Sequence, residues 1–197
     1  WQHKMSDKLD DVKNRVVSCV NCSLSKSRTN AVPGNGNKNS DVIFVGEAPG
    51  RNEDLKGQPF VGTAGQILSE ALTYAGFERE NVYITNVVKC RPPDNRQPLT
   101  EERTACRPYL SEELEIIKPK IVCILGNTAY RSLLDGSEIT KNRGKIVKSN
   151  SQLYFVTVHP AAVIYNPGLR QVLKDDFLLL AKSLDKLRKG LDIEISQ

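Results

Sequence analysis

Asp41-Val-Ile-Phe-Val-Gly46-Glu-Ala-Pro-Gly50 is a short apolar run, rich in β-branched residues, that breaks at a glycine into a turn. A run of this length bounded by turn residues reads as a buried strand. Three further segments have the same character: Val82–Val88 (VYITNVV), Lys120–Leu125 (KIVCIL) and Leu153–Val158 (LYFVTV). Between them the apolar spacing changes to the helical period. Thr63–Ala75 carries Ile67, Leu68, Ala71, Leu72 and Ala75 on one face, and further helices are predicted from Thr100 to about Ile117, from Gly126 to Leu134 and from Leu169 to Leu187. A helix over residues 6–18 precedes the first strand, with Leu9, Val12, Val16 and Val17 on one face. Thr100 is placed as an N-cap, with Glu101 and Glu102 in the first turn, where the helix dipole favours acids. Strands that alternate with helices predict a three-layer α/β/α domain with a central, mostly parallel four-stranded sheet, spanning residues 1–197 as one unit.

The 197 residues suffice to bury a core without disulfides. No apolar run approaches the roughly 20 residues needed to cross a bilayer. The N-terminus has no apolar signal-peptide core. Met5 is a candidate natural start, with Trp1–Lys4 an artificial leader. The expected location is therefore intracellular, without membrane contact, and no oligomerisation signal stands out, so a monomer is expected. A net charge of +5 leans toward a polyanionic partner without requiring one.

Five cysteines, an odd number, argue against a simple disulfide framework. Cys123, within KIVCILG, reads as a small buried strand residue. The other four form a constellation: Cys19 and Cys22 as a C-x2-C pair, then Cys90 and Cys106 with fifteen residues between them. Four thiolates suit zinc or an iron–sulfur cluster. Zinc sites often use two close pairs, and the wide second pair tilts the reading toward [4Fe–4S]. Such a group need not do redox chemistry, because metal binding contributes folding free energy directly.

Three predicted strands end in loops with unusual polar residues: GEAPG, TNVVKCRP and HPAAV. In open parallel sheets ligands bind beyond the carboxyl ends of the strands, so these loops should converge. Asn86 carries an amide with both donor and acceptor; its alternative is a strand-end cap. Phe60 lies in the Gly/Pro loop GQPFVG rather than in a periodic segment, which favours a site over a core position. His159 ends the last strand just before Pro160. A lone histidine is more often structural, but the sheet's carboxyl edge raises its claim to chemistry.

Taken together, GEAPGRNED, GQPFVG, ITNVVKCRP, HPAAV and the four cysteines resemble the family 4 uracil-DNA glycosylases, over about Cys19 to Lys182. The resemblance implies a uracil-DNA glycosylase-like fold and a monofunctional enzyme. It would flip uracil out of single- or double-stranded DNA and hydrolyse the N-glycosidic bond. The abasic site left behind would initiate base excision repair. It implies a uracil pocket of Glu47, Ala48, Pro49, Gly50, Phe60, Asn86 and His159, with catalysis resting on His159, Glu47 and Ala48. His159 would stabilise the departing uracil anion, Phe60 would stack on the base, and Asn86 would read its edge. It also implies a [4Fe–4S] cluster on Cys19, Cys22, Cys90 and Cys106. Better-known uracil glycosylases carry an aspartate at the place of Ala48 and a tyrosine at that of Gly50. That leaves water activation among Glu47, Glu53 and Asp54, and thymine rejection to another residue such as Glu47.

The loop after His159 would probe the DNA minor groove, with Val163, Ile164 or Tyr165 as a wedge; its alternative is a short helix packed on the sheet. Arg51, Arg91, Arg96, Arg143, Lys145 and Arg170 are candidate phosphate contacts. No residue pattern identifies a repair partner such as a sliding clamp. Two other functions compete. A non-catalytic iron–sulfur DNA-binding module would have no need of Asn86 or His159. A zinc-dependent nucleotide hydrolase would want a carboxylate or histidine cluster in the cleft.

Overall fold

The computed structural model describes residues 2–196. Of the expected leader Trp1–Lys4, Trp1 lies outside the described residues. Helix α1 (Gln2–Val17) leads into β1 (Asn35–Gly36) and β2 (Val42–Gly46), then α2 (Arg51–Lys56), α3 (Thr63–Tyr74) and β3 (Tyr83–Asn86). Helix α4 (Thr100–Ile117) precedes β4 (Ile121–Leu125), followed by α5 (Asn127–Leu134), α6 (Ile139–Asn142), β5 (Lys145–Ser149) and β6 (Gln152–Thr157). Helices α7 (Ala162–Tyr165) and α8 (Leu169–Arg188) complete the order.

The strands form one sheet in the order β1-β3-β2-β4-β6-β5. Its inner four strands, β3, β2, β4 and β6, run parallel, and they are the four expected. The expected count of four is nevertheless corrected to six, because β1 and β5 add antiparallel edges. The inner strands are sealed on both faces, so they read as continuous apolar runs. The edges do not: β1 is two residues within a Gly/Asn-rich loop, and β5 (KIVKS) carries the lysines that an edge strand tolerates.

Alternation along the strands separates two core layers. Ile43, Val45, Val122, Ile124 and Val156 pack with Leu9, Val12 and Val16 of α1 and Tyr109, Leu110 and Ile117 of α4. On the opposite face Phe44, Ile121, Cys123 and Leu125 pack with Ile67, Leu68 and Leu72 of α3 and Leu173, Phe177 and Leu180 of α8. Cys123 is fully buried in this second layer, a strand residue as expected.

Helix α4 corrects its expected cap. Leu99, not Thr100, holds the N-cap position, with extended φ −70° and ψ 161°. A leucine side chain has nothing to offer the first-turn amides. The cap is instead made by the Glu102 carboxylate, which accepts the Leu99 N–H at 2.8 Å.

The face of α4 turned to the sheet also carries Glu113, 1% exposed, and facing it is Lys89, also 1% exposed. The Lys89 ammonium donates to Glu113 Oε2 at 2.7 Å, to Thr85 Oγ1 at 2.5 Å and to the Asn86 carbonyl at 2.8 Å. The Glu113 carboxylate also accepts from the Tyr83 hydroxyl (3.1 Å) and the Gly34 N–H (3.2 Å). Burial, reinforced by Glu113, raises the Tyr83 pKa, so the phenol remains a donor. A buried pair is costly to break by halves, because the survivor keeps its desolvation penalty without its partner. Lys89→Met should therefore destabilise the fold by about 3–5 kcal/mol, whereas Lys89→Met/Glu113→Gln should recover most of that loss. Equilibrium denaturant unfolding of the three proteins checks the ordering.

Candidate active site

The parallel strands leave the sheet at one edge. There β2 runs into Glu47–Gly50, β3 ends at Asn86, β4 passes through Gly126 into α5, and β6 leads to His159. Strands β3 and β4 flank β2 on either side, so the chain's winding direction reverses there, and such a switch point opens a crevice. A cleft of about 640 Å³ lies at this edge, lined by Glu47, Ala48, Pro49, Gly50, Phe60, Asn86 and His159 among others. All seven residues expected to form the pocket thus face one space.

Its walls are braced from beneath. Glu53 Oε1 accepts the N–H groups of Val61 and Gly62 at 3.0 and 2.9 Å, and its Oε2 accepts that of Gly50 at 3.1 Å. One buried carboxylate therefore pins the two glycine-rich loops together. Asp54 accepts from the backbone of Thr29 and Asn30. Of the three carboxylates left open for water activation, these two are committed to main-chain amides. Glu47 lines the cleft and accepts from the Thr128 hydroxyl.

Phe60 adopts a left-handed φ of 52°, a conformation that costs a non-glycine residue roughly 1–3 kcal/mol. Arg79 holds it there, donating to the Phe60 and Pro59 carbonyls at 2.7 and 2.9 Å. Gly65 packs against that turn so closely that a Cβ would come within 1.9 Å of the Phe60 carbonyl oxygen. The Phe60 ring lies 5.6 Å from the His159 ring, at 27° between planes. A Cβ on Gly46 would fall 2.5 Å from Asn86 Oδ1 and 2.6 Å from Phe60 Cζ, so glycine is what lets these two side chains meet the strand end.

Asn86 is 2% exposed, and its Oδ1 has no hydrogen-bond partner. Buried polar atoms are nearly always paired, so this acceptor calls for an explanation. His159 Nδ1 accepts the Ala161 N–H at 3.0 Å. That leaves Nε2 to carry the proton of the neutral ring. Burial lowers the His159 pKa to about 4, with nearby Glu53 opposing the shift in part.

Of the expected wedge, Tyr165 is 89% exposed and Ile164 47% exposed at the rim of the cleft. Val163 corrects the expectation: it is 2% exposed and packs into the core beside Leu173 and Phe177. The segment folds as the one-turn helix α7, which turns Val163 toward the sheet.

The proposed phosphate contacts divide. Arg96, which also lines the cleft, is forked onto Glu102, Arg143 onto buried Asp176, and Arg170 is paired with Glu70. Arg91 donates to Asn95 Oδ1. Arg51 lines the cleft, and Lys145 lies on the edge strand β5.

Cys19, Cys22, Cys90 and Cys106 line a single small cavity between α1, the loop after β3 and α4. Among the described residues no three His, Cys, Asp or Glu side chains close around one point as a single ion would require. Arg28 donates to Cys90 Sγ and the Lys89 N–H to Cys106 Sγ, each at 3.2 Å. Burial raises the Cys90 thiol pKa, against the Arg28 hydrogen bond, and pushes that of Cys106 up to about 12.

Arg79, Thr128, Arg28 and the Lys89–Glu113 pair are functional neighbours that sequence reading passed over. Glu113 alone left a signal. It falls in register with Tyr109, Leu110 and Ile117 on the buried face of α4, where a charge demands a partner.

The His159 shift sets a pH dependence. An unfolded imidazole titrates near 6.5 and the folded one near 4, so between these values the unfolded chain binds the extra proton. The stability linked to neutral His159 is complete above about pH 6.5 and is lost as pH falls toward 4. An NMR titration should find the His159 ring neutral down to about pH 4.

Residues 33–183 match the family model of the uracil DNA glycosylase superfamily. A type-4 uracil-DNA glycosylase of Sulfurisphaera tokodaii is 48% identical over 181 residues, covering 87% of this chain and 82% of its own. One from Archaeoglobus fulgidus is 46% identical over 194 residues, covering 94% of this chain and 98% of its own. A third, from Saccharolobus solfataricus, is 44% identical over 196 residues, covering 94% and 91%. By these matches, and with a cleft at the switch point of its sheet, the chain belongs to the uracil DNA glycosylase superfamily, on its type-4 branch.

Proposed function

We propose that this protein is a monofunctional uracil-DNA glycosylase, acting as a monomer on a base flipped from DNA, and that its product is an abasic site. The observation that carries this reading is the buried, unpartnered Oδ1 of Asn86 in a cleft whose histidine presents Nε2–H. Uracil offers a ring N3–H donor flanked by two carbonyl acceptors. Asn86 Oδ1 accepts N3–H and its amide N–H reaches O4, satisfying the atom that the protein leaves open. Cytosine presents an acceptor at N3 and an amino group at position 4, which sets like against like. Leaving a buried acceptor unsatisfied costs about 1–3 kcal/mol, a basis for discrimination.

Extrusion of the base costs a few kcal/mol, which stacking on Phe60 and the polar contacts offset. As the glycosidic bond lengthens, electrons pass to uracil and charge gathers on O2. A neutral His159 donates Nε2–H to that oxygen without surrendering a proton. Donors placed where charge develops are usually the largest catalytic contribution. The sugar, now oxocarbenium-like, is captured at C1′ by water held by Glu47, whose carboxylate takes the water proton as uracil leaves as its anion, since Glu53 and Asp54 are occupied. Ala48 and Pro49 supply wall and backbone, and Gly50 leaves room at the base edge. At the rim, Ile164 and Tyr165 are placed to fill the gap left in the stack.

The reading of a [4Fe–4S] cluster is supported by all four thiols lining one cavity and by two N–H donors that reach sulfur. A bound cluster would supply a rigid cross-link between the end of α1, the loop after β3 and α4. No helix among the described residues is long and apolar enough to cross a membrane.

The test is single-turnover release of uracil from a defined oligonucleotide. Wild type should release it. His159→Ala should slow release by about 10²–10³-fold, and Asn86→Ala should also slow it strongly. A brown, folded wild type that releases nothing would reject the enzyme and favour a DNA-binding module. Cys106→Ser should reduce iron content and lower the unfolding midpoint, and zinc in place of iron in the purified protein would overturn the cluster assignment.

A further inference from the structure

The amide that reads the base lacks a side-chain anchor on its oxygen, so its aim depends on how the Asn86 backbone is held. On one side the hold is ordinary. Asn86 pairs with Gly46 in the parallel ladder, and the next two amides, Val87 and Val88, donate to the carbonyls of Gly46 and Glu47. On the other side the ladder is interrupted, and the outer chain pairs again only where the Val32 N–H donates to the Lys89 carbonyl at 2.7 Å. Strand β1 pairs with β3 only at Tyr83 and Ile84, two residues short of Asn86.

Where β1 stops, the Lys89–Glu113 pair takes over. Glu113 Oε1 accepts the N–H of Gly34, the residue at which the outer strand departs. Both Glu113 oxygens accept the Thr85 hydroxyl, and Lys89 Nζ donates to the Asn86 carbonyl at 2.8 Å. The ion pair thus spans, by side chains, the gap between the last β1 pairing and that next main-chain contact. Gly34 has to be glycine for this closeness, since a Cβ there would come within 2.4 Å of both Glu113 Oε1 and the Tyr83 hydroxyl. The main chain of Lys89 meanwhile donates to Cys106 Sγ. One residue therefore touches the carbonyl of the base-reading asparagine and a thiol of the cysteine cavity.

We propose that Lys89, oriented by Glu113, is a positioning residue that aims the Asn86 amide into the base pocket by holding its carbonyl where the outer strand ends. The inference rests on the uracil reading above. It assigns the buried pair a role in the chemical step as well as in stability.

The informative variant is Lys89→Met/Glu113→Gln. It removes the ammonium without stranding a charge, and the glutamine oxygen still accepts from Tyr83, Thr85 and Gly34. Lys89→Arg, which keeps the charge but moves the donor, serves should the double variant not fold. Single-turnover uracil release is measured well below each protein's unfolding midpoint, beside affinity for DNA carrying an abasic site and visible absorption. The expected result is a roughly tenfold or greater drop in the chemical rate, with abasic-DNA affinity and colour unchanged. A rate within about twofold of wild type, with only the midpoint lowered, would make the pair purely structural and overturn the proposal. Absence of uracil release by wild type would instead remove the reading on which it stands.

Discussion

Main-chain groups that leave a sheet without a ladder partner must find one before they can be buried, and that demand shapes this molecule. Four parallel strands end together, and the loops beyond them are folded inward to make a cleft. Carboxylates meet the need. Glu53 takes three amides from the two glycine-rich loops, Asp54 takes two from the segment after the cysteine pair, Glu102 caps α4, and Glu113 closes the outer edge of β3. Of these carboxylates only Glu53 lines the cleft, beside Glu47, and the others brace the loops and helix around it. Against that background the unpartnered oxygen of Asn86 stands apart, as an acceptor left for something absent from the protein.

The arrangement divides labour between rigid and reactive parts. Phe60 is held in a strained turn by Arg79, His159 is fixed by the Ala161 amide, and Asn86 is fixed through its backbone. On the proposed reading, Phe60 and His159 and the backbone of Asn86 are set before a base arrives, which is what stabilisation of a developing charge requires. Neutrality of His159 follows from the same packing, because a ring set into the cleft wall loses much of the hydration its cation would need. The cysteine cavity sits behind this assembly, reaching it through Lys89.

Much of the architecture was legible because burial leaves a simple signature. The inner strands are apolar throughout, the helices carry an apolar stripe, and Cys123 in KIVCILG could be read as core. The edges were not legible: β1 has no apolar pattern, and β5 looks like a charged loop until its pairing with β6 is seen. Pocket residues could be named because glycine-rich turns, an asparagine at a strand end and a histidine before proline are unusual at their positions, and the family resemblance bound them into one set. Side-chain direction was beyond that reading. Val163 and Tyr165 are neighbours in one short helix, yet one fills the core and the other stands in solvent. Nor could charge alone show that Arg143 is held by buried Asp176, 33 residues along the chain.

The central claim is that this cleft selects uracil by satisfying a buried acceptor that cytosine leaves opposed. The most direct measurement presents the wild-type protein with two oligonucleotides that differ by a single base, uracil in one and cytosine in the other, and quantifies the free base released in a single turnover. The account predicts free uracil from the first and no detectable cytosine from the second. Release of both bases at similar rates, or of neither by folded protein, would contradict it.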